Sequence, residues 1–415
     1  MRHHWFGTAK IQWANRLDTP PFRAFAVTSG MKTEILMLGK TIKMLEIRNQ
    51  IYLLSLLLFT ALLCTACELA NRNNNNGDNN TDFSGKIIEF IIPYKEGGGS
   101  DTWARFNSTY LSKYLPGQPV VIIRNIPGGG SIKGANLFTE RAKPNGLMIL
   151  GTSGSTQFPF LLDDPRVRYD YANWKVIWVY GNGGVVYVSP KLGIKDASEI
   201  PKIKDKRLIY ASQGPTSLDL IPLLAFDLLG LDVKAVFGMS GRGAGRLAFE
   251  RGEVNIDYQT SSAYIRNVKP LVADGSAIPL FSWGILDENG NLIRDPNFPD
   301  LPHFGEVYEM VHGQKPSGIE WDSWFAFASA GFSAMKLVVV PKETPDEIIK
   351  QFQEAVEQMK KDAEYLANKE RAIGEYEQVT GEKAKKLYEM GTNVSTREKE
   401  WIKNWLKEKY DLNIK

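Results

Sequence analysis

The chain has 415 residues, more than one hydrophobic core usually organises, which predicts two or three domains or one domain with non-structural ends. With 43% hydrophobic and 23% charged residues, the composition argues against whole-chain disorder and against a polytopic membrane protein. Residues 1–67 hold 8 basic and 3 acidic side chains, so the remainder, with 42 basic and 44 acidic ones, has a net charge of −2. That net charge argues against nucleic-acid binding by the part of the chain after residue 67, which we call the body.

A short apolar run near the N-terminus has the pattern of an export signal. Ile51 to Leu63 form thirteen uncharged residues, preceded by Arg48. As a helix they would reach about 20 Å, against about 30 Å of bilayer hydrocarbon, which is too short to span comfortably. A basic segment, a short apolar stretch and then small residues are typical of a cleaved bacterial signal peptide. We therefore predict an exported protein, located in the periplasm or at the cell surface.

The segment after the apolar run predicts a lipid anchor and a tether. Cys67 resembles the lipobox cysteine of bacterial lipoproteins, although Cys64 stands where leucine is usual. The resemblance implies lipidation of Cys67, with simple secretion as the alternative. Residues 68–85 are rich in asparagine and predict a disordered tether, because they cannot bury enough apolar surface to offset the entropy of ordering. Residues 1–67, an extension of uncertain start plus the signal peptide, contain both cysteines, which excludes a cysteine-based site in the body.

From Lys86 onward the sequence repeats the order strand, glycine loop, helix. The segment KIIEFIIPY is apolar and β-branched, as a strand buried on both faces requires, and KEGGGSD separates it from an apolar-periodic helix. A second series of the same kind begins at RLIYASQGP. The alternation predicts an α/β architecture of two lobes, each a mainly parallel sheet flanked by helices. We place lobe 1 at residues 86–187 and 279–415 and lobe 2 at residues 188–278.

Small polar residues and glycines collect where the predicted strands end. In α/β sheets, ligands sit outside the carboxyl ends of the strands, and glycines let the backbone approach them closely. Amide N–H groups at the start of the following helix can hold an anion without a cationic side chain. Five loops have this composition: residues 97–100, 128–131, 152–155, 212–217 and 238–243. Together these five loops predict a carboxylate-binding site at the carboxyl ends of the strands.

The sequence offers few residues for catalysis. GRGAG at Gly241 lacks the correctly spaced third glycine and the acidic ribose ligand of a dinucleotide fingerprint, and neither GTSGS nor GMSGR completes a G-x-S-x-G elbow. We interpret His303, between proline and phenylalanine, as a loop contact rather than a general base. We therefore expect binding without turnover, with no cofactor and no metal. A secreted hydrolase or transferase using the same cleft is one alternative, and a ligand-sensing lobe for a signalling partner is another.

Four motifs of the body resemble those of the substrate-binding proteins of tripartite tricarboxylate transporters, the Bug family. IIPYKEGGGSDTWAR resembles the family's proline, glycines and aspartate that open a helix, and NIPGGG is similar to its N-x-P-G-x-G. PNGLMIL is similar to P-D-G-x-x-x-L, and FPDLPHFGEVYE to L-P-x-x-P-T-x-x-E, with a histidine in place of the threonine. The resemblance covers about residues 86–415. Its matching residues are Pro93, Gly97, Gly98, Gly99, Asp101, Ala104, Arg105, Asn125, Pro127, Gly128, Gly130, Pro144, Gly146, Leu150, Pro299, Pro302 and Glu306.

The resemblance implies a type II periplasmic-binding-protein fold, in which two lobes joined by a two-strand hinge close on one small organic anion. It also implies that a monomer delivers this anion to membrane permease subunits. Asp101 is expected to orient the first loop by capping its helix, although the family pattern also allows it to face the ligand. The expected ligand-binding residues are Tyr94, Gly98, Gly99, Ser100, Asp101, Asn125, Gly128, Gly129, Gly130, Thr152, Ser153, Ser212, Thr216, Ser217, Ser240, Gly241 and Arg242.

The second lobe departs from the family pattern in two places. Where the family has G-x-G-S-x-x-H-L, this chain has SQGPTSLDL, so Asp219 or its neighbour takes the histidine position. The family's turn Y-[KR]-G becomes MSG at residues 239–241, and Arg242 and Arg246 are added. We expect Arg242 to hold the ligand's distal carboxylate as a bidentate partner. The alternative is that both arginines are solvated on a helix face.

Overall fold

A computed structural model describes residue 44, residues 81–287 and residues 289–414. The predicted signal run, Cys67 and the tether as far as residue 80 lie outside these residues. Phe83 is buried and packs edge to face on Phe352, with 5.8 Å between the ring centroids. The packed body therefore begins before the predicted start at residue 86. None of the described helices combines the length and the apolarity that crossing a membrane requires.

The strands are short, and most carry the apolar, β-branched residues that suit a buried sheet. In chain order they are β1 (Ile87–Ile92), β2 (Val120–Asn125), β3 (Met148–Gly151), β4 (Trp174–Tyr180), β5 (Gly184–Val188), β6 (Leu208–Ala211), β7 (Val233–Val236), β8 (Ile256–Thr260), β9 (Ile278–Ser282), β10 (Ile285–Leu286), β11 (Leu292–Ile293), β12 (Lys336–Pro341) and β13 (Gln378–Val379).

The helices connect these strands and cover the sheets. In chain order they are α1 (Gly99–Tyr114), α2 (Ile132–Arg141), α3 (Gly154–Leu161), α4 (Leu220–Leu228), α5 (Arg242–Glu250), α6 (Ser261–Asn267), α7 (Lys269–Ala273), α8 (Phe304–His312), α9 (Ile319–Ser333), α10 (Asp346–Met359), α11 (Ala363–Ile373), α12 (Gly381–Gly391) and α13 (Thr396–Tyr410).

Lobe 1 is built on a six-stranded sheet in the order β13-β4-β12-β3-β1-β2. β1 pairs in parallel with β2 and β3, whereas β12 is antiparallel to both β3 and β4. The sheet is therefore mixed rather than mainly parallel as predicted, because β12 and β13 come from the part of the chain that returns from lobe 2. Aromatic residues fill both faces: Phe90 contacts Trp103 of α1 at 5.8 Å between ring centroids, and Phe138 of α2 contacts Trp174 at 5.7 Å.

Lobe 2 contains a three-stranded sheet in the order β8-β5-β9 and the parallel pair β6-β7. β5 is antiparallel to β8 and to β9, which again differs from the predicted parallel sheet. The Asn255 amide N–H donates to the carbonyl of Ile209 at 3.1 Å, which joins the two sets of strands next to β8. The chain passes from β4 of lobe 1 to β5 of lobe 2 through residues 181–183.

The observed lobes shift the predicted boundaries. The positions 187/188 and 278/279 cut through β5 and β9, which both belong to the lobe 2 sheet. The C-terminal helix also leaves lobe 1, because the indole N–H of Trp405 on α13 donates to the carboxylate of Asp227 on α4 at 2.7 Å. Packing across the lobes, which strand periodicity does not report, decides where these segments lie.

Candidate functional site

The glycine-rich loops of both lobes meet at one interlobe cleft. Ser155 at the start of α3 in lobe 1 accepts a hydrogen bond at its Oγ from the amide N–H of Leu218 in lobe 2, at 2.9 Å. The side-chain amide of Gln213 in lobe 2 donates to the same oxygen at 3.3 Å. These contacts divide the cleft into a small inner cavity and a larger outer one, and Tyr94 and Gln213 line both.

The inner cavity is a polar chamber of about 30 Å³, enough for one or two water molecules or a carboxylate group. Seven of the predicted binding residues line it, and six lining residues were not predicted. The predicted ones are Tyr94, Gly98, Gly99, Ser100, Ser153, Gly241 and Arg242. The others are Lys95, Ser155, Gln213, Leu218, Thr260 and Lys336.

Lys336 is the buried cation among the six residues of this cavity that were not predicted. It opens β12, is 1% exposed, and donates from Nζ to the Oγ of Ser100 at 2.8 Å. Burial away from water disfavours the charged form and lowers the pKa of Lys336 to about 7. The available signal was a lysine directly before the apolar segment LVVVP, because lysine is an unusual residue in a strand that is buried on both faces.

The N-terminus of α1 points its free amide groups at the same cavity. Gly98 is the N-cap and no side chain accepts a hydrogen bond from the first turn, so the N–H groups of Gly99 and Ser100 keep no intrahelical partner. Such a helix start favours negative charge through both its donors and its dipole. The α1 helix is 16 residues long, which makes this a full helix terminus rather than a single turn.

Asp101 and Asn125 shape the first loop without lining either cavity. Asp101 does not cap α1; its Oδ2 instead accepts from the amide N–H of Gly97 at 2.9 Å. The side-chain amide of Asn125 donates to the carbonyl of Tyr94 at 2.9 Å and to Asp101 at 3.0 Å. Arg105 pairs with Asp101 at 3.0 Å. With its oxygens occupied in this way, Asp101 orients the loop as predicted, but by a different hydrogen bond.

Hydroxyl groups form the wall of the cleft beside β3. The Tyr94 hydroxyl lies 2.6 Å from the Oγ of Ser153 and 3.0 Å from the Oγ1 of Thr156. Burial raises the pKa of Tyr94, so this group stays protonated and acts as a neutral donor. Ser153 also caps α3 by accepting from the amide N–H of Ser155 at 3.3 Å. This wall offers both donors and acceptors to a bound molecule.

The outer cavity has a volume of about 540 Å³ and is large enough for a small organic molecule. It contains the second glycine loop, in which Gly128, Gly129 and Gly130 all have positive φ. The predicted residues that line it are Tyr94, Gly128, Gly129, Gly130, Thr216, Ser217 and Ser240. Residues that were not predicted include Asp164, Arg166, Gly214, Met239, Leu412 and Ile414.

Two predicted residues, Thr152 and Ser212, line neither cavity. Each extends a strand: the amide of Thr152 donates to the carbonyl of Leu337 at 2.9 Å, and that of Ser212 to the carbonyl of Val236 at 2.8 Å. Both are fully buried. Their position at the strand ends is as predicted, but the ladder hydrogen bonds continue one residue further than the apolar pattern indicates.

Arg242 does not have the free donors that a bidentate ligand contact needs. It is 6% exposed and lies between Asp219 and Asp257. Its Nε and Nη2 donate to the carbonyl of Tyr258, its Nη1 to the carbonyl of Ala211 and to Asp219, and its Nη2 to Asp257. These five hydrogen bonds account for the five N–H donors of a guanidinium.

Both sequence-based interpretations of Arg242 are therefore corrected. The guanidinium is neither a free partner for a carboxylate nor solvated, because two buried carboxylates hold it. Arg246, the second added arginine, pairs with Glu250 on the same helix. Asp219, Asp257 and Arg242 thus form one ion-pair network inside lobe 2.

His303 takes a capping role at the start of α8. Its Nδ1 accepts from the amide N–H groups of Gly305 at 3.1 Å and Glu306 at 3.3 Å, and Glu306 accepts in return from the amide of His303 at 2.8 Å. This capping box requires the neutral imidazole, and burial lowers the pKa of His303 accordingly.

In the described part of the chain, no cluster of His, Cys, Asp and Glu could hold a metal ion.

A third cavity, of about 510 Å³, lies beside the connection between the lobes. Trp283, Trp324, Phe325 and Phe332 give it a mainly aromatic wall, and none of the predicted binding residues lines it. It lacks the uncapped helix start and the buried cation of the interlobe cleft. The interlobe cleft is therefore the better candidate for binding a small anion.

Solved structures share this fold, whereas no protein-family model and no curated protein matches the sequence. The chain is similar to MatC from Rhodopseudomonas palustris with bound malate, at 18% identity and a TM-score of 0.57, over 77% of this chain and 99% of that one. It is similar to R. palustris Rpa4515 with adipate, at 19% identity and a TM-score of 0.59, over 75% and 95%. The periplasmic binding protein BugD matches at 19% identity and a TM-score of 0.57, over 78% and 97%. The predicted α/β class and two-lobed periplasmic-binding-protein fold are confirmed.

Proposed function

We propose that this protein is an extracytoplasmic solute-binding protein of the tripartite tricarboxylate transporter family, which captures a small organic anion and delivers it to membrane permease subunits. One observation carries the proposal: the uncapped start of α1 and the buried amine of Lys336 face the same cavity between two lobes. These donors and this potential cation line a cavity to which no Asp or Glu side chain of the described residues contributes, so they suit a ligand that brings the negative charge itself. The motifs of the sequence and the malate and adipate named for two similar structures support the same ligand class.

The size of the two cavities supports a carboxylate with an organic body. The inner cavity has room for one carboxylate group, and the outer cavity, about 540 Å³, has room for a small organic molecule. The protein acts by closing its two lobes on the ligand. The ligand binds the closed form more tightly and so stabilises it, and the permease recognises the surface of the closed form. The loops of lobe 2, residues 212–217 and 238–241, distinguish one acid from another.

The proposal predicts a thermal shift with organic acids. Malate or adipate at about 100 times its Kd should stabilise the purified protein by roughly 2.7 kcal/mol and raise its melting temperature by a few degrees. The dimethyl esters of the same acids, which lack the charge, should leave the melting temperature unchanged and serve as the control. If no acid in a panel of mono-, di- and tricarboxylates shifts the transition, the proposed function is wrong.

Cys67 is proposed to carry the lipid anchor that keeps the protein at the membrane. Two or more acyl chains hold a protein stably, because each buried methylene contributes about 0.8 kcal/mol. Replacing Cys67 by serine should therefore move the protein from the membrane fraction to the soluble extracytoplasmic fraction, which fractionation and immunoblotting would measure. Cys64→Leu, which introduces the usual lipobox residue, is the control and should stay with the membrane; release of both variants, or of neither, would contradict the assignment.

A further inference from the structure

Lys336 is buried in the interlobe cleft without a compensating acid. Its amine donates to the Oγ of Ser100, and in the described part of the chain no carboxylate forms an ion pair with it. An ammonium group has three N–H donors, so two remain for an acceptor in the inner cavity. Burying an unpaired charge is costly, and a lysine in that position loses its proton instead. The cleft thus holds a potential cation that lacks its partner.

The two other basic residues that line the cavity, Arg242 and Lys95, do not provide an acid for Lys336. Arg242 of α5 also lines the cavity, but its guanidinium pairs with the two carboxylates of Asp219 and Asp257 and has no free donor. Lys95, on the loop before α1, adds a second amine to the wall rather than an acid. Neither Arg242 nor Lys95 supplies an acid to Lys336, and no Asp or Glu side chain of the described residues lines the cavity.

The acidic and phenolic groups near Lys336 are already engaged. Asp101 of α1 is hydrogen-bonded to Arg105 and to the first loop. The Tyr94 hydroxyl bonds with two hydroxyl groups of lobe 1, and Tyr180 of β4, the register partner of Lys336, donates to a backbone carbonyl. The segments of β3 and β12 beside Lys336 carry no titratable side chain. A negative charge for Lys336 must therefore come from a bound molecule.

We propose that Lys336 is the cationic anchor of the ligand carboxylate and takes up one proton when the anion binds. This inference rests on the proposed function and extends it. The step is balanced: the neutral amine accepts a proton from solvent, and the ammonium group then pairs with the carboxylate, with no covalent bond made or broken. Ser100 and the N-terminus of α1 hold the same carboxylate from the other side.

The expected pH dependence follows from the lowered pKa of Lys336, about 7, in the empty cleft. A carboxylate at hydrogen-bond distance favours the charged amine, so the pKa of Lys336 rises when the ligand binds. Between the two pKa values, binding requires a proton from solvent, and the affinity should fall about tenfold for each pH unit of increase. Below pH 7 the amine is already charged, and this dependence should disappear.

Titration calorimetry of the purified full chain with malate and adipate tests whether Lys336 takes up a proton when a carboxylate binds. Measurements at pH 6.5 and 8.5, each in two buffers of different ionisation enthalpy, count the protons taken up. The wild type should take up close to one proton at pH 8.5 and much less at pH 6.5. K336M should bind at least about tenfold more weakly at pH 6.5 and lose the pH dependence, whereas K336R, which stays charged, should bind without taking up a proton.

The outcomes separate this inference from the proposed function. If the wild type binds an acid and K336M binds it equally well, Lys336 is not the anchor and the proposed function stands. If the wild type binds an acid but takes up no proton at pH 8.5, the coupling is wrong; this measurement does not depend on the folding of any variant. If the wild type binds no carboxylate of the panel, the proposed function is overturned and this inference with it.

Discussion

Replacing Gly99 by alanine is expected to weaken ligand binding about a hundredfold while both lobes stay folded. A Cβ at this position would lie 2.0 Å from the Oγ1 of Thr260, which belongs to lobe 2, and 3.4 Å from the Oγ of Ser262. Gly99 opens α1 in lobe 1, so the clash falls between the lobes. Overpacking of this kind costs about 1–3 kcal/mol, and the protein can avoid it by opening the cleft. The affinity is lost because the closed form binds the anion.

Gly243→Ala is the matched control, because Gly243 lines neither cavity of the cleft and a Cβ there would lie 3.4 Å from the carbonyl oxygen of Gly97 in lobe 1, an ordinary contact. It should bind the ligand like the wild type. Adding Thr260→Ala to Gly99→Ala removes the clashing hydroxyl and should restore most of the affinity. Calorimetry measures the binding, and urea denaturation verifies the fold. Equal affinities for Gly243→Ala and Gly99→Ala would show that closure does not require the close approach of Gly99 and Thr260.

Arg242→Met is expected to lower the free energy of unfolding by about 3–5 kcal/mol. The substitution leaves Asp219 and Asp257 buried without their cation, and both are fully buried. The cost is mainly that of two desolvated carboxylates rather than that of one lost attraction. It also removes the packing of the guanidinium between the rings of Tyr210 and Tyr258, whose centroids lie 5.0 and 4.7 Å from its central carbon. Urea denaturation of lobe 2 measures the effect.

Arg246→Met is the control on the same helix. Arg246 pairs with Glu250 one turn away, an arrangement that contributes about 0.5 kcal/mol or less. A triple variant, Arg242→Met with Asp219→Asn and Asp257→Asn, should regain part of the lost stability because the unpaired charges are gone. If Arg242→Met unfolds like the wild type but loses the ligand, the arginine serves the site and not the interior of lobe 2.

The loops of the site could be predicted because their signals are local. A proline or glycine after an apolar strand ends that strand whatever the rest of the chain does. The first loop at 97–100 and the second at 128–131 therefore appear in the structure where the sequence places them, and both line the cleft. Parallel strands bring such loops to one rim, which is why five loops distant in sequence could be assigned to one site.

Partners of charged side chains could not be predicted in the same way. Arg242 stands 23 residues from Asp219 and 15 from Asp257, and nothing in the spacing of the three indicates that they meet. Lys336 is 236 residues from Ser100, to which it donates. Contacts over such distances depend on how helices pack on the sheets, and packing is decided by all the side chains together.

The α/β class, the two series of strands and helices, the glycine loops and the scarcity of catalytic groups were determined by the sequence alone. Each of these depends on residues that are neighbours along the chain. Only the tertiary structure decided that β12 returns antiparallel, that α13 packs on lobe 2, and which cation faces the cleft. The physical reason is that the groups around a buried side chain decide which partners an arginine pairs with and whether a lysine keeps its proton, and the fold alone brings those groups together.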